Sequence, residues 1–162
     1  MKVLALDFGR KTGWALGTLA DDGSPIIYDS GTQSLKITKR SEHPSSFSAF
    51  HSWLDAMITS HGVTHVAYEL VRRHAGVKAA HAWGGYYSIT YLLCSARNVS
   101  ITPVEVGTVK KNWTGSGNAN KQRMIDEARR RGYNPSGDDE ADALAILHTA
   151  TSTGLICPSP AA

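Results

Sequence analysis

Two acidic residues stand in stretches of sequence that are otherwise apolar. Asp7 closes the run Val3-Leu4-Ala5-Leu6, and Glu69 falls between Val66-Ala67-Tyr68 and Leu70-Val71. A carboxylate in an apolar strand is costly to desolvate unless a cation or hydrogen bonds compensate it. For Asp7 a plainer reading stands beside this one: the strand has ended, and the acid caps the loop Gly9-Arg10-Lys11-Thr12-Gly13. A third acidic stretch, Asp138-Asp139-Glu140-Ala141-Asp142, runs into Ala143-Leu144-Ala145-Ile146-Leu147. On a helix Asp139 and Asp142 lie three apart and share one face. Capping and the helix macrodipole account for Asp138, the best cap candidate, and for Glu140. Asp142 stands too deep among apolar residues to be a cap.

Four acids (Asp7, Glu69, Asp139 and Asp142) from three distant segments form a candidate site for two divalent cations about 3.5–4 Å apart. Hard oxygen ligands suit Mg²⁺, with Mn²⁺ able to substitute, and no His/Cys cluster points to zinc. Such ions activate a water and stabilise the leaving 3′ oxygen during in-line attack on a phosphodiester. A ligand shared by both ions belongs on the most rigid element, which nominates Asp7. Cys94 and Cys157 lack paired spacing and suggest neither a disulfide framework nor a metal site.

The charge distribution agrees with a polyanionic substrate. Net charge is only +3, but Lys110, Lys111, Lys121, Arg123, Arg129, Arg130 and Arg131 gather in one stretch against Asp126 and Glu127. A basic surface beside an acidic cluster can hold nucleic acid where cations do the chemistry. With 41% hydrophobic and 19% charged residues, the chain has the make-up of a folded domain rather than a disordered one. No apolar run reaches the roughly 18 residues of a membrane span. Asp7 interrupts the N-terminus too early for a signal-peptide apolar region, which predicts a cytoplasmic protein.

The elements that must position these residues follow from period and punctuation. Residues 3–8 read as a strand buried on both faces. Residues 13–19 and 26–32 read as two antiparallel strands joined by a turn over 20–25. Helical spacing of Phe47, Phe50, Trp53, Leu54, Met57 and Ile58 predicts a helix over about 45–60, stopped by Gly62. A strand over 64–71, a helix over about 75–97 and a short strand over 99–104 follow. Gly115-Ser116-Gly117-Asn118 is a loop, residues 119–131 a basic amphipathic helix, and residues 139–151 the final helix. The pattern predicts an α/β fold, a mixed five-stranded sheet flanked by helices, in one domain over 1–152 with a short tail over 153–162. Parallel strands ending together would bring Asp7 and Glu69 to one edge of the sheet, where open α/β folds place their sites.

With these residues in view, the chain resembles the RuvC family of Holliday-junction resolvases, within the RNase H-like fold. Asp7-Phe8-Gly9-Arg10-Lys11-Thr12-Gly13 is similar to that family's first-strand motif, and Val66-Ala67-Tyr68-Glu69 to the stretch carrying its second acid. Gly115-Ser116-Gly117-Asn118-Ala119-Asn120-Lys121 resembles its glycine-rich segment before a basic residue. Asp139-Glu140-Ala141-Asp142-Ala143-Leu144-Ala145-Ile146 resembles its C-terminal acidic pair. The resemblance implies a homodimer, in a bacterial or phage-infected cell, that binds four-way DNA junctions and nicks two strands symmetrically with Mg²⁺. It implies Asp7, Glu69, Asp139 and Asp142 as metal ligands, the choice of Asp139 over Asp138 resting on it alone. It implies Lys121, and Lys110 or Lys111, as phosphate contacts, and the helix over 75–97 as dimer seam; the aromatics of that helix read equally as core.

One stretch departs from the family. An aromatic wedge is expected shortly after the second acid, where this chain has Val71-Arg72-Arg73-His74. Arg72 and Arg73 can stack on bases or bind phosphate, which admits a broader, phage-type specificity for branched DNA. His148 reads as a satisfied helix-face histidine and Glu105 as a solvated strand end. Trp113 reads either as buried or as stacking on DNA. Three rivals stand beside it: a YqgF-like nuclease of ribosomal RNA maturation, a fragment of an actin-like ATPase, and a non-catalytic DNA-binding relic, which the presence of all four acids disfavours.

Overall fold

Val3, Leu4, Ala5 and Leu6 are all fully buried, and an unbroken run of this kind requires cover on both faces of its strand. The computed structural model describes residues 1–20, 24–35, 43–74 and 76–156. In it the run forms β1 (Lys2–Asp7) at the centre of a five-stranded sheet ordered β3-β2-β1-β4-β5. Strands β2 (Lys11–Leu19) and β3 (Pro25–Ser34) add antiparallel on one side, and β4 (His65–Leu70) and β5 (Ser100–Glu105) parallel on the other. The predicted turn over 20–25 lies partly outside the described residues, as does the end of the predicted tail.

Alternation along the strands sorts two cores. Leu4, Leu6, Phe8, Val66 and Tyr68 face α1 (His43–His61) and α2 (Val77–Ala96), packing on Phe50, Leu54, Ile58, Tyr86 and Leu93. Val3, Ala5, Ala15, Ala67 and Val104 face three helices: α3 (Val106–Thr114), α4 (Lys121–Arg130) and α5 (Asp138–Ser152). The strand side chains on this second face are small, so helix α5 can approach the sheet closely. Cys94 is buried as a free thiol. Among the described residues no helix is long and apolar enough to cross a membrane.

Three sequence expectations need correction or completion. Helix α3 was not anticipated, because Val106-Gly107-Thr108-Val109 is rich in β-branched residues and glycine, all weak helix formers. Its burial of Val109 and Trp113 at i and i+4, and its stop at Gly115 with φ 79°, are what sustain it. Trp113 resolves to the buried alternative, 1% exposed, and donates its indole N–H to the Met124 carbonyl at 3.1 Å. Asp138 does not cap α5 with its side chain; Gly137 occupies the N-cap, without a side-chain hydrogen bond.

His148 joins the three helices of the second face. Arg131 Nη1 donates to its Nε2 at 2.7 Å, since a guanidinium can only donate. Nδ1 therefore carries the proton and donates to Asn112 Oδ1 at 3.2 Å. Arg131 also bonds Glu127 and the Trp113 carbonyl, and its guanidinium lies 4.2 Å above the Trp113 ring. Burial, then the neighbouring Arg131 charge, hold the His148 pKa below its usual 6.5, with Glu127 opposing weakly. The unfolded chain therefore binds a proton that the folded chain refuses, and stability falls as pH drops from about 6.5. Urea titrations at pH 7.5 and pH 5 should show a larger loss for the parent than for His148→Gln; equal losses would refute the assignment.

Candidate metal centre

The register of β1 and β4 dictates where the two strand acids point. Leu6 pairs with Tyr68, so Asp7 and Glu69 follow one step later on adjacent parallel strands. Both share the phase of Ala5 and Ala67, hence the face covered by α5. Across β2, Asp7 pairs with Gly13. That glycine matters for its missing side chain: a Cβ there would lie 1.8 Å from the Asp139 carbonyl oxygen. The first turn of α5 thus rests on bare backbone beside Asp7, and Asp139 and Asp142 arrive at the ends of β1 and β4.

The result is a crowd of like charge. Burial raises the Asp7 pKa well above the usual carboxylate range, with repulsion from Glu69, Asp142, Asp139 and Asp138 adding to it in that order. Burial raises Glu69 too, opposed by the Lys110 ammonium. Asp142 is pushed up to about 7, by burial and then by Glu69. Its Oδ1 is buried with no hydrogen-bond partner, an arrangement that costs free energy unless something else meets that atom. Asp139 is raised by burial and by Asp138, with Lys121 and Lys11 opposing. Among the described residues no group of three or more His, Cys, Asp or Glu side chains is already placed to hold a metal ion; the nearness of the acids shows in the repulsion that Asp7 feels from Glu69, Asp142, Asp139 and Asp138.

The predicted basic residues divide. Lys110 on α3 is close enough to Glu69 and Asp142 to moderate both. Lys121, at the start of α4, forms an ion pair with Asp138 and so stands at the rim of the cluster. Lys11, a residue the sequence reading did not select, acts on Asp138 and Asp139 from β2. Lys111 is exposed on α3 next to Lys110. Arg123 reaches the Thr114 carbonyl at 3.5 Å rather than an acid. Arg72 is bound through Nε to Glu105 at 3.1 and 3.2 Å, so Glu105 is a paired strand end rather than a further member of the site. Arg72, Arg73 and Glu105 border one groove with Leu70, Val71, Val106 and Gly107, directly beyond Glu69. In the arginine triplet Arg130 and Arg131 pair with Glu127 and Arg129 faces Asp126 at 3.9 Å, while Arg129 and Arg130 stay largely exposed.

The family model for crossover junction endodeoxyribonuclease RuvC matches residues 3–150, a span that takes in every acid of this cluster. The chain belongs to the RuvC family. A RuvC of Dehalococcoides mccartyi is 28% identical over 150 residues, covering 90% of this chain and 89% of its own. Among solved structures, T. thermophilus RuvC in complex with Holliday junction substrate superposes with a TM-score of 0.80 at 18% identity, over 96% of each chain. A fowlpox virus resolvase, solved with its substrate Holliday junction DNA, gives 0.63 at 14% identity, over 96% of this chain and 100% of its own. These structures share the fold, the mixed five-stranded sheet with flanking helices. Family membership separates this RuvC-family chain from the YqgF-like and actin-like alternatives.

A raised carboxylate pKa carries a stability consequence. The folded chain holds a proton on Asp142 up to about pH 7, whereas an unfolded aspartate releases it near 3.8. Stability without divalent metal therefore falls as pH rises from about 4 to 7 and stays lowered above that. Asp142→Asn should stabilise the protein in EDTA at pH 8 by a few kcal/mol and by little at pH 4. Thermal melts at the two values check this; a variant less stable than the parent at pH 8 would refute the crowding.

Proposed function

We propose that this RuvC-family chain resolves four-way DNA junctions, and related branched DNA, by Mg²⁺-dependent phosphodiester hydrolysis at Asp7, Glu69, Asp139 and Asp142. The observation that carries the reading is the buried Asp142 Oδ1 without a partner, beside carboxylates whose burial and mutual repulsion disfavour their ionised forms. Oxygen donors alone, several anionic and one orphaned, fit hard divalent cations. Asp139 is preferred to Asp138 as a ligand because Lys121 already neutralises Asp138. Cations bound there supply Lewis-acid catalysis, activating water and compensating charge on the scissile phosphate.

The chain's own residues supply placement. Asp7, at the end of the central strand, would hold the cations together with Glu69, Asp139 and Asp142. Lys110 and Lys121 stand beside the acids and would hold the phosphate either side of the cut. Lys111, Arg123, Arg72 and Arg73 extend a positively charged track for the duplex arms. Attack of water on phosphorus breaks the bond to the 3′ oxygen, leaving a 5′ phosphate and a 3′ hydroxyl.

Two such sites acting on opposed strands require two copies, and α2 supports that. It is apolar on more than its core side: Val77 is 70% and Leu92 72% exposed, with Trp83, Tyr87 and Tyr91 half-buried. Val77 and Leu92 stand on a face that also carries the exposed Lys78, His81 and Ser88, a mix of exposed apolar and polar side chains suited to a contact surface between subunits. The enzyme is accordingly read as a cytoplasmic homodimer of one nuclease domain each. Leu92→Arg should shift sedimentation toward monomer and uncouple the two nicks; an unchanged dimer would place the interface elsewhere.

The deciding experiment offers the purified protein a four-way junction, a linear duplex and a structured RNA, with Mg²⁺ and with EDTA. Junction cutting that EDTA abolishes is expected. Asp7→Asn should remove cleavage while junction binding changes by less than about threefold. Equal cutting of linear duplex, or cutting that survives EDTA, would overturn the proposal.

A further inference from the structure

Beside the acids of the site, α5 carries one carboxylate turned to a different purpose. Glu140 is 7% exposed and, among the described residues, pairs with hydroxyl and amide donors rather than a cation. Its Oε1 accepts from Ser30 Oγ of β3 at 2.7 Å. Its Oε2 accepts from the Ser136 backbone N–H at 2.8 Å and from Ser136 Oγ at 2.7 Å. Burying a carboxylate needs compensation of this quality. A helix-terminal acid serving only the macrodipole could remain in solvent at no such cost.

The three contacts come from two sides of the helix start. Ser136 lies in the turn just before α5, where the N-cap Gly137 offers no side chain. Ser30 lies on the outer strand of the sheet and is 110 residues away in sequence. Glu140 also stands about 200° around the helix from Asp142 and about 100° from Asp139. A grip at Glu140 therefore fixes the rotation of the turn that aims both acids. On the sheet side, the contact between Gly13 and the Asp139 carbonyl sets how close the same turn lies to β1.

We propose that Glu140 is a positioning residue: by bridging Ser30 of β3 and Ser136 of the preceding turn, it sets the rotation of α5 that brings Asp139 and Asp142 to Asp7 and Glu69. The inference rests on the metal-dependent reading above and adds a residue that reading does not use. It predicts that weakening the bridge costs metal affinity and turnover more than substrate binding. A ligand shell loosened by loss of a supporting contact commonly loses about ten- to hundred-fold in metal affinity or activity.

The test compares the parent with Ser30→Ala, Glu140→Gln, Glu140→Ala and Ser30→Ala/Glu140→Ala. Mn²⁺ affinity is measured by titration calorimetry, kcat and KM on a four-way junction, and fold by circular dichroism. Glu140→Ala should weaken Mn²⁺ binding and lower kcat by about tenfold or more, with KM within about twofold. Ser30→Ala should shift both in the same direction by less, Glu140→Gln should recover part of the loss, and the double variant should be no worse than Glu140→Ala. If Glu140→Ala does not fold, Ser30→Ala, which removes one hydroxyl, decides the matter alone. Variants that melt earlier yet keep Mn²⁺ affinity and kcat within twofold of the parent would overturn the proposal. A parent that neither binds Mn²⁺ nor cuts junctions would instead overturn the functional reading on which it rests.

Discussion

The site depends on one backbone contact, the seating of the first turn of α5 against β2 at Gly13. No side chain separates the strand from the helix there, because even a methyl group would collide with the Asp139 carbonyl. Small residues continue the seam on both sides: Ala5, Ala15 and Ala67 on the sheet, Ala141 and Ala145 on the helix. This close packing decides how far the helix acids can stand from the strand acids. Larger residues along the seam would lift α5 away and separate Asp139 and Asp142 from Asp7.

Close packing has an electrostatic cost, and the structure carries it openly. Burial dominates the raised pKa of Asp7, Glu69 and Asp142, and the fold supplies only partial relief through Lys110, Lys121 and Lys11. The contrast with Glu127 is instructive, since that carboxylate is held down to about 2 by hydrogen bonds from Arg130 and Arg131. Acids serving the fold are satisfied by the fold. The acids of the cluster are left wanting positive charge, and burial of unpaired charge of this kind marks functional sites more often than structural ones.

Much of the architecture was legible in sequence because the strands obey a simple rule. A fully buried β1 must be apolar throughout, so one acid at its end stands out, and Glu69 stands out for the same reason on β4. Helices α1, α2, α4 and α5 have the lengths or periodicity that announce them. Helix α3 does not, being nine residues of which only Lys110 and Lys111 are good helix formers, stabilised by the burial of Val109 and Trp113. The roles of Glu140 and Gly13 were equally hidden. A run of acids at a helix start looks like capping whatever each one does. A glycine's need for space is visible only when the opposing backbone is known. The basic stretch shows another limit of composition: Arg129, Arg130 and Arg131 pair with Asp126 and Glu127 about one turn away, contacts that only the folded helix reveals.

The order of the elements has a consequence for when nuclease chemistry becomes possible. Asp7 belongs to the first strand and Asp142 to the last helix, and the two strand acids meet through the parallel pairing of β1 with β4, strands far apart in sequence. Pairings between distant strands form slowly, because the intervening chain must be closed first. A growing chain still attached to the ribosome, with α5 not yet emerged, holds only half of its acids and lacks the helix against which they would gather. The full set of four acids can therefore assemble only after α5 has been made.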